Sequence, residues 1–390
     1  MVKRSSILLM MVVIVASASG QRTLSENEAV EQALKNARNT NVANLTLTQQ
    51  QQLLRGAGGI ANPQLTLEKS PYEPLIAGVQ QQFDWPTLYG ARKQLQQARV
   101  RLAETSVSFN ALQIKRLVRT AYLQLQYLNE RLVQLKYQDS IYKDIKAAAA
   151  RSFEAGQINK LDELFAASQA DRINNEMVRA IADLQQQQRA LQLLTGLKET
   201  VIPARISALP LNELADTLNN NPQIRVLEQE VEVSKNELKL ARRSLLPSVN
   251  AGVLFPTTKE YENFLGYQVG LSIPLWARQN RSRIAAASTG VELAAANQQN
   301  ALQQLENQYL INQVNVQKEQ ASLHYFNTVA LRQSAEIIET SRRLFVAGQI
   351  SYIESLRNIT SAFETQINYL ETLRNYNQAV IELNYITGNL

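Results

Sequence analysis

The apolar residues of this chain recur with two different periods, in segments that alternate along it. From about residue 91 to residue 150 there is no proline, and apolar residues recur every three or four positions. The members of this stripe are Leu117, Ala121, Leu125, Leu128, Leu132 and Leu135. Such a stripe lies on one face of an α-helix. About sixty residues at 1.5 Å each predict a rod of about 90 Å, which needs coiled-coil partners.

Four shorter segments have the period of two that is typical of β-strands. They are predicted at 62–70, 78–85, 247–255 and 266–273, each close to the nine residues of a tilted membrane strand. One apolar and one polar face is what a membrane barrel with a wet interior requires. A soluble, half-buried sheet is the alternative. Two matched strand pairs beside very long helices favour the interpretation as membrane strands.

The same order of predicted elements occurs twice along the chain. Residues 151–158 (RSFEAGQI) recur as residues 343–350 (RLFVAGQI), 192 positions later, and residues 78–86 align with residues 266–274 at an offset of 188. A slowly drifting offset is what duplication followed by small insertions produces. Each half has short helices, two strands, a long helix, a turn and a return helix.

The first twenty residues have the pattern of a secretory signal peptide. Lys3 and Arg4 precede an apolar run at 7–16, and Ala16-Ser17-Ala18 supplies a small-residue cleavage pattern. The run is too short for a spanning helix; an N-terminal anchor is the alternative. The chain has no cysteine, so disulfides and a lipoprotein cysteine are excluded and membrane attachment must come from the fold.

Composition excludes several other classes of function. The formal charge of +6 is spread along 390 residues without a basic cluster among aromatics, so no nucleic-acid partner is expected. A single histidine and four methionines form no metal-ligand cluster, and no cofactor is expected. His324 alone makes histidine-based acid–base catalysis improbable, and we predict that the chain is not an enzyme.

Four strands cannot close a barrel, for which about eight are the minimum. An open sheet edge cannot face lipid, because its peptide groups would be unsatisfied. The chain must therefore oligomerise, and a trimer would give a twelve-stranded barrel that leaves a lumen. The fold class predicted is mainly α with a small membrane β part: a duplicated unit of two strands plus long coiled-coil helices, in a trimer whose helices form a periplasmic barrel.

The chain resembles the TolC family of outer-membrane factors over essentially its whole mature length. The matching motifs are Asn62-Pro63-Gln64-Leu65, Phe83-Asp84-Trp85-Pro86 with Gly90-Ala91-Arg92, Leu246-Pro247-Ser248-Val249, Gly270-Leu271-Ser272-Ile273-Pro274-Leu275 and the two Phe-x-Ala-Gly-Gln-Ile turns. The motif details look closest to the heavy-metal efflux branch, which is CzcC- and CusC-like. The resemblance implies a homotrimeric outer-membrane channel with a large periplasmic part, which passively exports substrate, with heavy-metal cations as one possibility. Its implied partners are outer-membrane lipid, an inner-membrane pump of the RND type and a periplasmic adaptor protein.

The duplication and the resemblance together divide the chain into seven segments. These are a signal peptide at 1–20, equatorial helices at 21–61, a first barrel hairpin at 62–86, a first helical hairpin at 87–196, an inter-repeat equatorial region at 197–246, a second barrel hairpin at 247–274, and a second helical hairpin with the C-terminus at 275–390.

The turns between long and return helices are the predicted functional tips. Asp162 and Glu354 are equivalent at the 192 offset, and the resemblance implies that acidic residues here line a periplasmic constriction. Three copies would place up to six carboxylates in a ring that attracts cations. A solvated coiled-coil surface is the alternative. Where the family often has a second acid, this chain has Phe165 and Arg357, and Arg357 is predicted to pair with Glu354.

The remaining predicted site residues lie at the tips and at the strand ends. Gly156, Gln157, Gly348 and Gln349 are the predicted adaptor contacts, with turn chemistry as the alternative reason for the glycines. Trp85 and Trp276 are predicted membrane-interface aromatics, and Pro86 and Pro274 are predicted to stop the strands before the helices.

Two other classes of protein remain as alternatives. A periplasmic adaptor would be exported and helical, but it would need one hairpin and a glycine-rich β domain. A structural coiled-coil protein would explain the rods but not four amphipathic strands. Within the family, the substrate could also be a drug or a secreted protein, because specificity is expected to reside in the pump.

Overall fold

The computed structural model describes residues 22–36, 38–69, 75–211, 218, 221–256, 265–274 and 277–390. The predicted signal peptide at 1–20 and Trp276 lie outside these residues. In chain order the elements are β1 (Arg22–Leu24), α1 (Glu26–Asn36), α2 (Arg38–Gly56), β2 (Gln64–Glu68), β3 (Ile76–Phe83), α3 (Pro86–Glu154), α4 (Lys160–Thr195), β4 (Val201–Pro203), α5 (Pro222–Arg243), β5 (Ser248–Pro256), β6 (Gly266–Ser272), α6 (Ala277–Tyr325), a π-helical turn (Phe326–Ala330), α7 (Leu331–Val346) and α8 (Tyr352–Ile386).

Two long helical hairpins form most of the molecule. Helix α3 has 69 residues, which at 1.5 Å each make a rod of about 100 Å. Its return helix is α4. In the second half the rod consists of α6, the π-helical turn and α7, and α8 is its return helix. The assignment of these hairpins to the segments 87–196 and 275–390 of a periplasmic tunnel remains a prediction.

The π-helical turn is the main difference between the two rods. Five residues, Phe326–Ala330, adopt this wider turn, and Phe326 and Ala330 are buried. A single π turn accommodates one extra residue in an α-helix without breaking it. It therefore takes up one of the four residues by which the repeat offset grows, from 188 near the strands to 192 at the tips.

The four strands predicted from the period of two join in one antiparallel sheet in the order β2-β3-β5-β6. Each half contributes a hairpin, and β3 of the first half pairs with β5 of the second over eight residue pairs. Within the part of the chain described, β2 and β6 each have one neighbour and are the edges of the sheet. The sheet is thus open on both sides in a single copy.

A pair of short strands near the middle of the first rod connects residues 22–24 and 201–203 to α3. Strand β1 pairs in parallel with β4. The buried Tyr122 of α3 joins both strands to the rod, because its hydroxyl donates to the carbonyl of Leu24 at 2.6 Å and accepts from the amide of Ala204 at 2.9 Å. Burial raises the pKa of this hydroxyl, so it stays protonated and able to donate.

Both return helices end in the same way. The side-chain amide of Asn36 donates to the carbonyl of Thr195 at 2.9 Å, and that of Asn221 donates to the carbonyl of Ile386 at 2.8 Å. The last carbonyls of a helix lack partners within it, so each asparagine satisfies one of them. The duplication therefore extends to the asparagine caps at the ends of the two return helices.

The apolar core runs along the rods as a series of separate clusters rather than a single centre. Large apolar side chains also remain uncovered on the helices; on α6, Leu310, Ile311 and Val314 are 58 to 62% exposed. No described helix combines the length and the apolar character needed to cross a membrane. The uncovered residues on α6 form an apolar helix face without a partner in the single chain.

Candidate functional site: a two-faced sheet and two helical tips

The register of the sheet aligns apolar residues of all four strands on one face. Leu65 lies opposite Val79, and Val79 lies opposite Val253. Val253 in turn lies opposite Tyr267. Directly opposed residues of antiparallel strands share a face, so these side chains form a continuous row across the sheet. The rows above and below it follow the same rule, since alternate residues share a face.

One face of the sheet is apolar and uncovered. Its members are Leu65, Leu67, Ala77, Val79, Phe83, Val249, Ala251, Val253, Phe255, Tyr267, Val269 and Leu271. In the single chain Leu65 is 83% exposed and Val269 is 79% exposed. An uncovered apolar face of this extent indicates contact with lipid or protein.

Gln81 is the one polar residue among the paired positions of this face. Its amide nitrogen donates to the carbonyl of Ala61 at 2.7 Å and to that of Gln82 at 2.9 Å. Both hydrogens of the amide are therefore satisfied within the protein, which removes most of the penalty for a polar group at an apolar surface. The contact also fixes the segment that leads into β2.

The opposite face is polar or small. The polar and small residues placed there by the register are Gln64, Thr66, Glu68, Gly78, Gln80, Gln82, Ser248, Asn250, Gly252, Gly266, Gln268, Gly270 and Ser272. Two large apolar residues, Ile76 and Leu254, lie near the hairpin turns. A sheet with one face of each kind is suited to the boundary between an apolar and an aqueous phase.

The junction between β3 and α3 is braced by a hydrogen bond and an ion pair. Pro86 is the first residue of α3, a position that needs no N–H. Just before it, the amide of Asp84 donates to the Tyr89 hydroxyl at 2.9 Å. The carboxylate of Asp84 pairs with Arg92 at 2.8 Å. Trp85, between strand and helix, is 44% exposed, and Pro274 follows β6 and is exposed.

The two helical tips have the same backbone geometry. Gly156 and Gly348 adopt the left-handed conformation, with φ of 71° and 68°. The amide of Gln157 donates to the carbonyl of Ser152 at 2.8 Å, and that of Gln349 donates to the carbonyl of Leu344 at 2.9 Å. Both are helix-terminating motifs that require a residue tolerant of positive φ. The predicted turn role of the two glycines is therefore sufficient to explain them.

The predicted ring residues lie in the first turn of each return helix. The side chain of Asn159 accepts from the amide of Asp162 at 2.9 Å, and that of Ser351 accepts from the amide of Glu354 at 3.2 Å. Carboxylates in a first turn also interact favourably with the helix dipole. Both acids thus have a local structural reason to be present, besides any role in a constriction.

The predicted pair between Glu354 and Arg357 is not formed. Both side chains are exposed, and among the described residues no ion pair joins them. An exposed pair gains only about 0–1 kcal/mol over two hydrated charges, so spacing along the helix does not by itself bring them together.

Two equivalent residues brace the tips in different ways. In the first tip Lys160 lies over the ring of Phe153, with 4.9 Å from its nitrogen to the ring centre, and pairs with Glu163. At the 192 offset the second tip has Tyr352 packed edge-on against Phe345, with ring centres 5.9 Å apart. Each brace ties a return helix to the rod that precedes it.

A cavity of about 590 Å³ lies between the two tips. It brings together three of the predicted site residues, Gln157, Asp162 and Gly348, whereas Gly156, Gln349, Glu354 and Arg357 are not among the residues that line it. Tyr352 also lines it, and sequence reasoning missed this residue. The substitution of a lysine by an aromatic at an equivalent repeat position was the available signal.

Tyr352 has an unusual environment for a tyrosine. It is 7% exposed, and its hydroxyl has no hydrogen-bond partner among the described residues. Burial raises the pKa of this hydroxyl, and the neighbouring Tyr142 and Asp162 raise the pKa further. Tyr142 is buried too, but its hydroxyl shares a hydrogen bond with Thr360 at 2.7 Å.

Comparison with known proteins finds a family match for the second part of the chain and a known fold for nearly all of it. Residues 214–389 match the family of outer membrane efflux proteins. No curated protein sequence matches the chain. Crystal structures of CusC have a TM-score of 0.79 at 18% identity, covering 93% of this chain and 91% of that one.

Two further channels have the same fold. The CmeC outer membrane channel of Campylobacter jejuni has a TM-score of 0.79 at 15% identity, and the match covers 93% of this chain and 85% of the CmeC chain. The outer membrane protein VceC of Vibrio cholerae has a TM-score of 0.74 at 16% identity, covering 93% and 94%. The predicted fold class, with long helices and a small β part, is confirmed.

Removal of the hydroxyl of Tyr142 and of Tyr352 is expected to change the stability of the protein in different ways. Tyr142→Phe removes a satisfied hydrogen bond and leaves Thr360 without this partner, so it should lower the free energy of unfolding by about 1–2 kcal/mol. Tyr352→Phe removes a hydroxyl without a partner, so stability should stay within about 0.5 kcal/mol or increase. Denaturant unfolding in detergent, followed by circular dichroism, measures both. Equal losses of stability in the two variants would contradict the different hydrogen bonding of the two hydroxyls.

Proposed function

We propose, from the match of residues 214–389 to the outer membrane efflux protein family, that three copies of this chain form an efflux duct through the outer membrane. This match supports the coarser predictions: the TolC-type resemblance, an efflux role at the outer membrane, and a protein that is not an enzyme. The trimer, the pump, the adaptor and the substrate go beyond the family and are argued below.

The open, two-faced sheet is the observation that carries the proposal. Its apolar face suits acyl chains, and its edges β2 and β6 have peptide groups without partners in the described chain. Each such group costs several kcal/mol in hydrocarbon, so the edges must pair. Two copies would give eight strands, whose interior is filled by side chains. Three copies give twelve strands and leave a lumen.

The strand directions are compatible with closure between copies. In the order β2-β3-β5-β6 every neighbour is antiparallel, so β6 runs opposite to β2. Pairing of β6 with β2 of a neighbouring copy therefore continues the antiparallel pattern around a closed barrel. The exposed apolar residues of α6 support the same arrangement, since a neighbouring copy would cover them as the rods assemble into a tunnel.

The partners and the substrate are proposed from the resemblance to the TolC family. The resemblance implies an RND-type pump and an adaptor that contacts Gly156, Gln157, Gly348 and Gln349, and the exposed tips are accessible for it. Heavy-metal cations are proposed as substrate from the CzcC- and CusC-like motifs. In the described residues no group of three or more acidic, histidine or cysteine side chains could hold a metal ion, which suits passage rather than binding. Drug efflux and protein secretion remain alternatives.

The periplasmic adaptor is the runner-up among other classes of protein. Two helical hairpins and an amphipathic four-stranded sheet in one chain favour the duct instead. The adaptor class does not explain a sheet with one uncovered apolar face and one polar face.

The tips are proposed to form a cation-attracting constriction. Asp162 lines the cavity between the tips, and Glu354 is exposed at the equivalent position of the other tip. In three copies these two residues supply up to six carboxylates. Such a ring raises the local concentration of cations at the entrance of the duct.

Neutralising the proposed ring tests the constriction. Asp162→Asn with Glu354→Gln keeps the shape of both side chains and the backbone amides that the caps bind. Single-channel recording in lipid bilayers should show the cation-over-anion permeability ratio falling about two- to fivefold. Glu163→Gln removes the adjacent carboxylate, which pairs with Lys160, and should change the ratio less. Unchanged conductance and selectivity in the double variant would remove the ring from the mechanism.

Cysteine pairs test closure of the barrel between copies. The chain has no native cysteine, so Leu65→Cys on β2 can be combined in turn with cysteine at Tyr267, Val269 and Leu271 on β6. Each pair shares the apolar face, and at least one should give covalent trimers on mild oxidation. Leu65→Cys with Gln268→Cys places the thiols on opposite faces and is the matched control. Absence of crosslinks in all three pairs would contradict the pairing of β6 with β2.

A further inference from the structure

The polar face of the sheet carries carboxamides at its centre. Gln64 lies opposite Gln80, and the same row continues through Gly252 to Gln268. The adjacent row, toward the helices, contains Gln82 opposite Asn250. Five amide side chains of each copy therefore occupy two neighbouring levels of one face.

Charged residues on this face of the described sheet lie only at its ends. Glu68 is at the end near the first hairpin turn, opposite Ile76. Asp84 follows β3 at the other end, where Arg92 pairs with it at 2.8 Å. The carboxylate of Asp84 is thus compensated by a cation, and no charge lies at the levels of the five amides.

We propose that this face is a charge-free carboxamide lining of the barrel, so that the barrel passes solutes of either charge and discrimination by charge occurs at the helical tips. The inference rests on the proposed function, because the face lines a lumen only when three copies close the barrel. It deepens that function by assigning the selective step to one end of the duct.

The chemistry of the amide explains the lack of preference. A glutamine side chain offers a carbonyl oxygen to cations and two N–H groups to anions, without a net charge. A lumen of such groups solvates both kinds of ion, whereas a ring of carboxylates admits cations and repels anions. Amide oxygens are also poor ligands for soft metal ions, which prefer sulfur and imidazole. Metal ions would therefore pass without being retained.

Ion permeation through the reconstituted trimer tests the assignment. The reversal potential in a salt gradient gives the permeability ratio of K⁺ to Cl⁻ for the native protein and for the tip variant Asp162→Asn with Glu354→Gln. With the tips neutralised, the ratio should lie within about twofold of the ratio of the free ions in water. Adding Gln80→Glu and Gln268→Glu places six carboxylates in the lining, and the ratio should rise at least about fivefold.

Titration supplies the control for an effect of charge rather than shape. Glutamate has a pKa of about 4.3 in water, so acidification to about pH 3 should return the glutamate variant to the ratio of its parent at the same pH. A change that persists at this pH would mean altered shape and would overturn the proposal.

The outcomes separate the two levels of inference. Failure of the native protein to form any channel would overturn the proposed function. Channels that form, but stay strongly selective with neutral tips or do not respond to the glutamates at 80 and 268, would overturn the carboxamide lining while leaving the duct intact.

Discussion

The peptide groups at the two edges of the sheet constrain the whole molecule. In water the edges β2 and β6 would be hydrated, but in the proposed duct they lie in hydrocarbon, where no solvent replaces the missing hydrogen bonds. Pairing between copies would satisfy both edges at once. The number of strands in each copy would then limit the number of copies, and the spacing of the strands would determine where the helical rods of neighbouring copies meet.

Duplication explains how a single chain supplies the parts of this assembly. Each half contributes one strand hairpin and one helical hairpin, and β3 and β5 join the halves within the copy. The caps at Asn36 and Asn221 repeat as well. Insertions after duplication would move one tip out of line with the other. The π-helical turn absorbs one extra residue in the second rod, and both tips retain the same glycine turn.

The helices and strands could be predicted well from the sequence, because the apolar stripe of each rod is long and each strand pair occurs in both halves of the chain. The first rod was predicted at about 91–150 and spans Pro86–Glu154, and the third strand was predicted at 247–255 and spans Ser248–Pro256. The π-helical turn could not be predicted, because Phe326–Ala330 has no proline or glycine to mark a break in the helix, and the turn arises from matching two rods. The pairing of Gln81 with the carbonyl of Ala61 depends on a contact twenty residues away. The environment of Tyr352 depends on contacts from both hairpins, which the sequence does not show. The expected ion pair of Glu354 with Arg357 is not formed, because spacing alone does not hold exposed charges together.

The central claim is that a single copy cannot exist as a folded protein without a partner or a substitute for lipid. The molar mass of the purified protein, measured by light scattering during size-exclusion chromatography in detergent and again after detergent removal, tests it most directly. We expect a complex of three chains with bound detergent, which aggregates when the detergent is removed. A monodisperse monomer in plain buffer, with no affinity for detergent or vesicles, would contradict it.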